Sequence, residues 1–350
     1  MMGRLPADRG GDLCYDELEI GADENLQSYR LRAGKENFIT EMVANFPSLD
    51  HRIAIEEYVR LCTDCASKDL FFDLKIAKPK WLARLIQKVA GGKKFFEMTR
   101  KTALEVIQGL TPDKDLQAAL LGQFGDYGQL PSTESFFLHA SVANHYMAGG
   151  WYPRGGSSVI AKGIVPTIER AGGRVLVGSK VGARGVKQII VRDGRAVGVQ
   201  MANGDKIYAG KGVISACGVF NTYKKLLAPS TVEALPAAVK SHVSTCLEKM
   251  AKIGHSCSMI YLFVGMEGTA ESLKLRSSNI WVWPNRDYDK MIETFYADPE
   301  NAPIPMFIGF PCAKDSTFDT RYPNKANAVI LTMCKFDWFE KYEGTTQVRM

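Results

Sequence analysis

Hydrophobic positions along this chain change their period more than once, and each change predicts a different element. Residues 12–33 hold two short alternating runs, LCYDELEI and SYRLRA, which predict two strands joined by a polar loop. Residues 35–147 switch to a spacing near 3.6 in KENFITEMVANF and IAIEEYVRLCTDCA, so this region reads as mostly helical. A helix over 112–124 is expected to carry Pro112 in its first turn, after Thr111 as its cap. From 174 to 218 the period is two. RVLV, KQIIVR, AVGVQM and GVISA predict strands, with Asp193-Gly194 and Asn203-Gly204 as hairpin turns. Between 257 and 335 four further apolar runs, SMIYLFV, NIWVWP, PMFIGF and AVILTMC, predict an antiparallel sheet with a ligand face. Loops are expected at 284–289 and 298–305.

Two stretches carry more than periodicity. In GGWYPRGGSSVIAKGIVPTIERAGG (149–173), Pro153, Gly155, Gly156, Ser157 and Ser158 form a tight turn before an amphipathic helix with Ile160, Ile164 and Ile168 four apart. Adjacent glycines let backbone N–H groups approach an anion or ring closely, and Ser157 or Ser158 can cap the helix. A ligand at that helix N-terminus would meet partial positive charge. The bland reading is a tight connector before a capped helix. Pro166 inside the helix predicts a kink or break. In KIAKPKWLARLIQKVAGGKKFFEMTRK (75–101), nine Lys and Arg accompany one Glu. Trp81, Leu82, Leu85, Ile86 and Val89 form an apolar stripe beside a basic stripe of Lys80, Arg84 and Lys88. That is the pattern of an interfacial amphipathic helix, or of a surface helix packing its stripe on its own core.

Composition narrows the classes. A chain of 350 residues, 46% hydrophobic and 23% charged, can bury two or three domain cores. A net charge of +6 is mild, and no nucleic-acid motif accompanies it, so nucleic acid is not an expected partner. Eight scattered cysteines do not make a disulfide scaffold. Cys62-Thr-Asp-Cys65 lies inside a helical pattern without a partner pair at zinc-ribbon spacing, so it reads as structural and no metal site is expected. No apolar run is long enough to span a bilayer as a helix, and the N-terminus has no signal-peptide pattern. His145 is a candidate proton donor, with a structural, hydrogen-bonded role the plainer reading. His139, six residues earlier, falls on a different helix face and makes a poor metal pair with it.

The strings NHYMAGGWYPRGGSS (144–158), IVPTIERAGGRVLV (164–177), VISACGVFNTY (213–223) and FPCAKD (310–315) resemble the flavoprotein group of retinol saturases, carotenoid isomerases and phytoene desaturases. The resemblance is strongest to the retinol saturase branch and runs from about Tyr29 to about Glu340. It implies an α/β fold of the FAD/NAD(P)-binding, Rossmann-like type, with a helical insertion and an antiparallel substrate-domain sheet. The group's G-x-G-x-x-G unit and its glycine-rich C-terminal flavin segment are not found in the sequence, so the fold is expected to be incomplete and the chain a fragment. The regions expected are 1–34, part of the FAD or substrate domain; 35–148, substrate- or membrane-facing; 149–218, the FAD-domain turn, helix and meander; and 219–350, the substrate domain. The resemblance implies FAD contacts at Arg154, Gly155, Gly156, Val181, Ala216 and Gly218, and substrate contacts at Trp151 and Tyr152. It implies saturation of a polyene double bond, NAD(P)H as possible electron donor, and an apolar polyene lipid drawn from a membrane surface, for which the basic amphipathic pattern offers Lys80, Trp81, Arg84, Leu85 and Lys88. It also implies the endoplasmic reticulum membrane, and members carry a signal peptide. The alternatives are a carotenoid isomerase or desaturase, and a non-catalytic lipid- or membrane-binding chain.

Overall fold

A computed structural model describes residues 2–4, 13–67, 78–89, 92–177, 185–254 and 257–342. The chain divides into two compact units, one of Met1–Ala161 with Ser256–Met350, the other of Lys162–His255. The three short strands β1 (Met2–Arg4), β2 (Cys14–Ile20) and β3 (Gln27–Arg32) open the first unit. Next in the same unit come β4 (Trp151–Pro153) and then, after the second unit, the four strands predicted from 257–335. They are β8 (Ser258–Glu267), β9 (Asn279–Trp283), β10 (Met306–Gly309) and β11 (Lys325–Cys334).

Six of these strands form one sheet in the order β3-β2-β9-β10-β11-β8. All neighbours are antiparallel except β2 and β9, which run parallel with Leu18 opposite Trp281. The fold is therefore mixed α/β, and residues far apart in sequence share one sheet. Strand β2 is buried along almost its whole length, because the helices Lys35–Asn45, Leu49–Ala66, Lys114–Leu121 and Phe136–Met147 build a common core with it. Leu18, Leu31, Phe38, Met42, Ile55, Tyr58, Phe124, Phe136 and Trp281 lie at its centre. Burial of such side chains stabilises by about 1.5–3 kcal/mol each. Strand β8 is the other edge, and Tyr261, Leu262 and Phe263 on it are exposed.

Local chemistry accounts for the helix ends. Thr102 and Glu105 form a reciprocal capping box before Ala103–Leu110. The Lys114–Leu121 helix is capped by Asp113, not Thr111; its carboxylate takes the N–H groups of Asp115 and Leu116. Thr111 instead ends the preceding helix, and Pro112 falls outside both. A carboxylate next to the first turn satisfies two amides, which a residue two places upstream does not reach. Cys62 and Cys65 are buried in the Leu49–Ala66 helix, and burial pushes the Cys62 thiol well up, so it stays protonated.

The second unit contains β5 (Val186–Arg192), β6 (Arg195–Met201) and β7 (Lys206–Tyr208), an antiparallel meander. Asp193 and Gly194 both adopt positive φ in its first turn, as the Asp-Gly pair predicts. Two expected strands do not form. Arg174–Val177 and Val213–Ala216 have no ladder partner among the described residues and are irregular. Leu176 and Val177 are exposed, and Ile214 is 99% exposed. A β-propensity run becomes a strand only when a neighbour completes its hydrogen bonds. The Ser158–Arg170 helix runs through Pro166 without a break. Its Ile160, Ile164 and Ile168 stripe is exposed.

Candidate functional site

The glycine turn is the best-built feature among the expected site residues. Strand β4 leads into it, pairing backbone to backbone with β1. Pro153 is buried at the end of β4. Gly155 and Gly156 then take φ of +95° and +83°, which L side chains rarely adopt, so glycine is required at both. A Cβ on Gly155 would lie 2.8 Å from a Val159 methyl, whereas one on Gly156 would meet only the Arg321 guanidinium at 3.7 Å. The helix beyond starts with Val159 N–H to Gly156 O and Ile160 N–H to Ser157 O.

Both glycine amides are turned inward. Gly156 N–H bonds Pro153 O at 3.0 Å, and Gly155 N–H bonds Asp315 Oδ1 at 3.0 Å. Neither is left for a ligand anion, which the sequence argument had supposed. Asp315 is the organising group, with a side chain only 1% exposed. Its Oδ1 also accepts Thr317 N–H at 3.0 Å and the Thr317 hydroxyl at 2.8 Å, and its Oδ2 pairs with the Arg321 guanidinium. Burial alone would raise its carboxyl, but these donors outweigh burial and hold it below the usual range. Arg321 in turn lies over the rings of Tyr322 and Phe318.

One residue before Asp315, Lys314 enters a second buried network. Its ammonium donates to Asn279 Oδ1, and Asn279 Nδ2 donates to Asp16 Oδ1 at 2.7 Å. Gln123 Nε2 completes the Asp16 carboxylate at 3.1 Å. Burial pulls Lys314 down to about 8 and raises Asp16, the usual response of charges taken from water.

The other expected residues fall as follows. Trp151 is exposed and Tyr152 half-buried on β4, where burial raises the Tyr152 hydroxyl. Arg154 sits exposed at the tip of the turn. In the second unit, Ala216 is exposed on irregular chain, and Gly218 has φ +87° with no atom within 4 Å of a built Cβ. Val181 lies outside the described residues. Lys80, Trp81, Arg84, Leu85 and Lys88 all lie on the Lys80–Val89 helix and all are exposed, Trp81 by 66%. Leu82 and Ile86 are exposed as well, so the described part of the apolar stripe is not packed on a core of its own.

The histidines separate sharply. His145 is exposed, with its ring edge-on to Tyr146. His139 is fully buried between two tyrosines: its Nε2 lies 2.9 Å from Tyr58 Oη and its Nδ1 3.1 Å from Tyr127 Oη. Tyr58 O–H donates to Leu120 O, a group that can only accept. Tyr58 therefore accepts from His139 Nε2–H, and His139 Nδ1 accepts from Tyr127 O–H. Every group in the chain of bonds is used in the neutral ring, and burial lowers His139 to about 4.

Sequence reasoning passed over Asp315, Arg321 and Asn327, whose Oδ1 accepts Cys312 N–H at 2.9 Å beside the turn. FPCAKD carried a signal for Asp315 as part of a matching string; Arg321 and Asn327 had none.

No protein-family model matches the sequence. The all-trans-retinol 13,14-reductase of Danio rerio is 32% identical over 340 residues, 94% of this chain and 53% of that protein. A second Danio rerio protein, inactive all-trans-retinol 13,14-reductase, is 29% identical over 95% of this chain and 54% of its own length. The chloroplastic prolycopene isomerase of Daucus carota is 44% identical over 87 residues, 25% of this chain and 13% of that protein. Among solved structures, a Rab GDI from Plasmodium falciparum aligns with 99% of this chain and 65% of its own at TM-score 0.46 and 10% identity, too distant to carry an argument. The chain spans about half the length of the curated relatives it matches, and over nearly its whole length it is a homologue of the all-trans-retinol 13,14-reductases.

Proposed function

We propose that this chain serves an FAD-dependent oxidoreductase that saturates a double bond of all-trans-retinol or a similar polyene lipid, with NAD(P)H as the electron donor, at the endoplasmic reticulum membrane. The observation that carries the reading is its similarity to the retinol reductases across 94% of its length. The glycine turn supports a flat ring through its backbone: two consecutive glycines at positive φ carry no Cβ, and the position a Gly156 side chain would take meets only the Arg321 guanidinium at 3.7 Å. Arg154, Gly155 and Gly156 are the residues that would hold FAD there. When bound, the flavin supplies hydride delivery to one carbon of the double bond. The chain's part is to orient the polyene along Trp151 and Tyr152 and to exclude water. His145 is the candidate for moving a proton, and its exposure lets it exchange with solvent.

The Lys80–Val89 helix is the candidate membrane contact in this reading. Its exposed Trp81, Leu82, Leu85 and Ile86 would enter the interface while Lys80, Arg84 and Lys88 meet anionic headgroups, at about 1 kcal/mol per basic residue. Replacing the three basic residues with glutamate should strongly cut sedimentation with anionic vesicles and leave neutral vesicles little changed. Unaltered binding to anionic vesicles would remove the membrane contact.

The second reading, a non-catalytic lipid- or membrane-binding chain, draws support from the similarly related protein whose name calls it inactive. The deciding test presents all-trans-retinol in vesicles to the purified chain with added FAD and a nicotinamide donor. Appearance of a dihydro product with matching consumption of donor supports the reductase. Retinol bound without product supports the second reading, and an isomer formed without net donor consumption points to the isomerases.

A further inference from the structure

The turn and the segment after β10 line an open pocket of about 200 Å³ within the first unit. Tyr152, Ser157, Ser158, Arg321, Tyr322 and Asn327 reach it, together with Asp315 and the two glycines. Arg321 and Asp315 are the charged groups in that wall, and they are bonded to each other. Their charges cancel. Both carboxylate oxygens are already occupied, and both glycine amides are consumed inside the turn. The helix that starts at Ser158 brings partial positive charge, but the Asp315 carboxylate bonded to the turn opposes it.

What remains for a ligand is neutral. The hydroxyls of Tyr152, Ser157, Ser158 and Tyr322 have no hydrogen-bond partner among the described residues. Asn327 spends its Oδ1 on Cys312 N–H at 2.9 Å, which leaves its amide NH2 as a donor. Such a wall can both give and accept hydrogen bonds and has no net charge to offset an anion's desolvation.

We propose, resting on the reading of the turn as part of the ligand site, that this cavity binds a neutral hydroxyl-bearing group and discriminates against phosphate and carboxylate. A volume near 200 Å³ suits an end group, not a whole polyene. Two ligands share the chemistry: the alcohol end of a polyene and the ribityl chain of a flavin. Asp315 acts here as a positioning residue that also neutralises Arg321.

The test uses the purified full chain and four probes: inorganic phosphate, riboflavin, all-trans-retinol in neutral micelles and retinyl methyl ether. Binding is read by calorimetry or by quenching of tryptophan fluorescence. The parent should bind riboflavin or retinol and should bind phosphate at least about tenfold more weakly. Asp315→Asn frees the Arg321 charge while keeping an acceptor, so it should gain about tenfold in phosphate affinity, which a purely structural role would not produce. The exposed pair Ser157→Ala with Ser158→Ala should fold normally and lose about tenfold for the neutral probe. This second variant carries the test if Asp315→Asn does not fold. Preference for retinol over its methyl ether names the alcohol as occupant; binding of riboflavin alone names the ribityl chain. Tight phosphate binding by the parent, unchanged in Asp315→Asn, overturns the proposal. So does a folded parent that takes neither neutral probe, or a serine variant that binds as the parent does. The two readings fail separately: binding of retinol here without turnover removes the reductase and keeps the neutral cavity, whereas turnover with unchanged binding in both variants does the reverse.

Discussion

The turn at 153–158 and the segment at 213–218 were matched to the same flavoproteins, and each contains glycine at positive φ. They are held in opposite ways. The turn is pinned by a buried carboxylate, a strand pairing and a helix start. The segment has Ile214 almost fully in solvent and no ladder partner among the described residues, and its bonds are local ones such as Ser215 to Thr222 and Thr222 to Gly218. Equal resemblance therefore corresponds to unequal support: the turn's geometry is set by a carboxylate 160 residues away, whereas the segment relies on bonds within its own stretch.

The largest expected effect tests the pin. Asp315→Ala strips partners from Gly155, Thr317 and Arg321 and should destabilise the first unit by about 3 kcal/mol in urea unfolding. A loss below about 0.5 kcal/mol, the ordinary scatter of surface changes, would mean the turn is held by β1 and the helix instead.

Acid should produce an effect of similar size in the same unit. His139 is lowered from 6.5 to about 4, so the fold favours its neutral form. That stability is fully present above pH 6.5 and is lost as pH falls toward about 4, a total of about 3 kcal/mol. His139→Gln should flatten this part of the pH–stability profile. A profile with the same slope in that variant assigns the acid sensitivity elsewhere.

Smaller effects separate the glycines. Gly155→Ala forces a left-handed alanine against Val159 and should cost about 2 kcal/mol. Gly218→Ala meets nothing within 4 Å and should cost about 1 kcal/mol from φ alone. Equal losses measured by thermal melting would erase the contrast between the two regions.

Periodicity made much of this architecture legible. The four apolar runs after 257 are four strands of one sheet, and LCYDELEI and SYRLRA are two more. The helical spacing after 35 is a bundle packed on that sheet. These succeed because a two-residue or 3.6-residue period describes which face of an element is apolar, and that is a local property. The glycines at 155, 156 and 194 are equally local, since a left-handed turn needs the residue that lacks a Cβ.

Tertiary structure decided the rest. RVLV and GVISA have strand composition but form no strand, because a ladder is made by a partner and composition supplies none. Whether the Trp81 stripe packs inward or faces water depends on what lies opposite it; in the fold it faces water. Asp315 stands 160 residues from the amide it holds, and Arg321 six residues further on cancels its charge. The sequence by itself determined that a tight glycine turn would open a helix here. Only the folded chain could decide that both amides of that turn would be satisfied from within, because a hydrogen bond depends on distance in space and the chain sets that distance only when it closes.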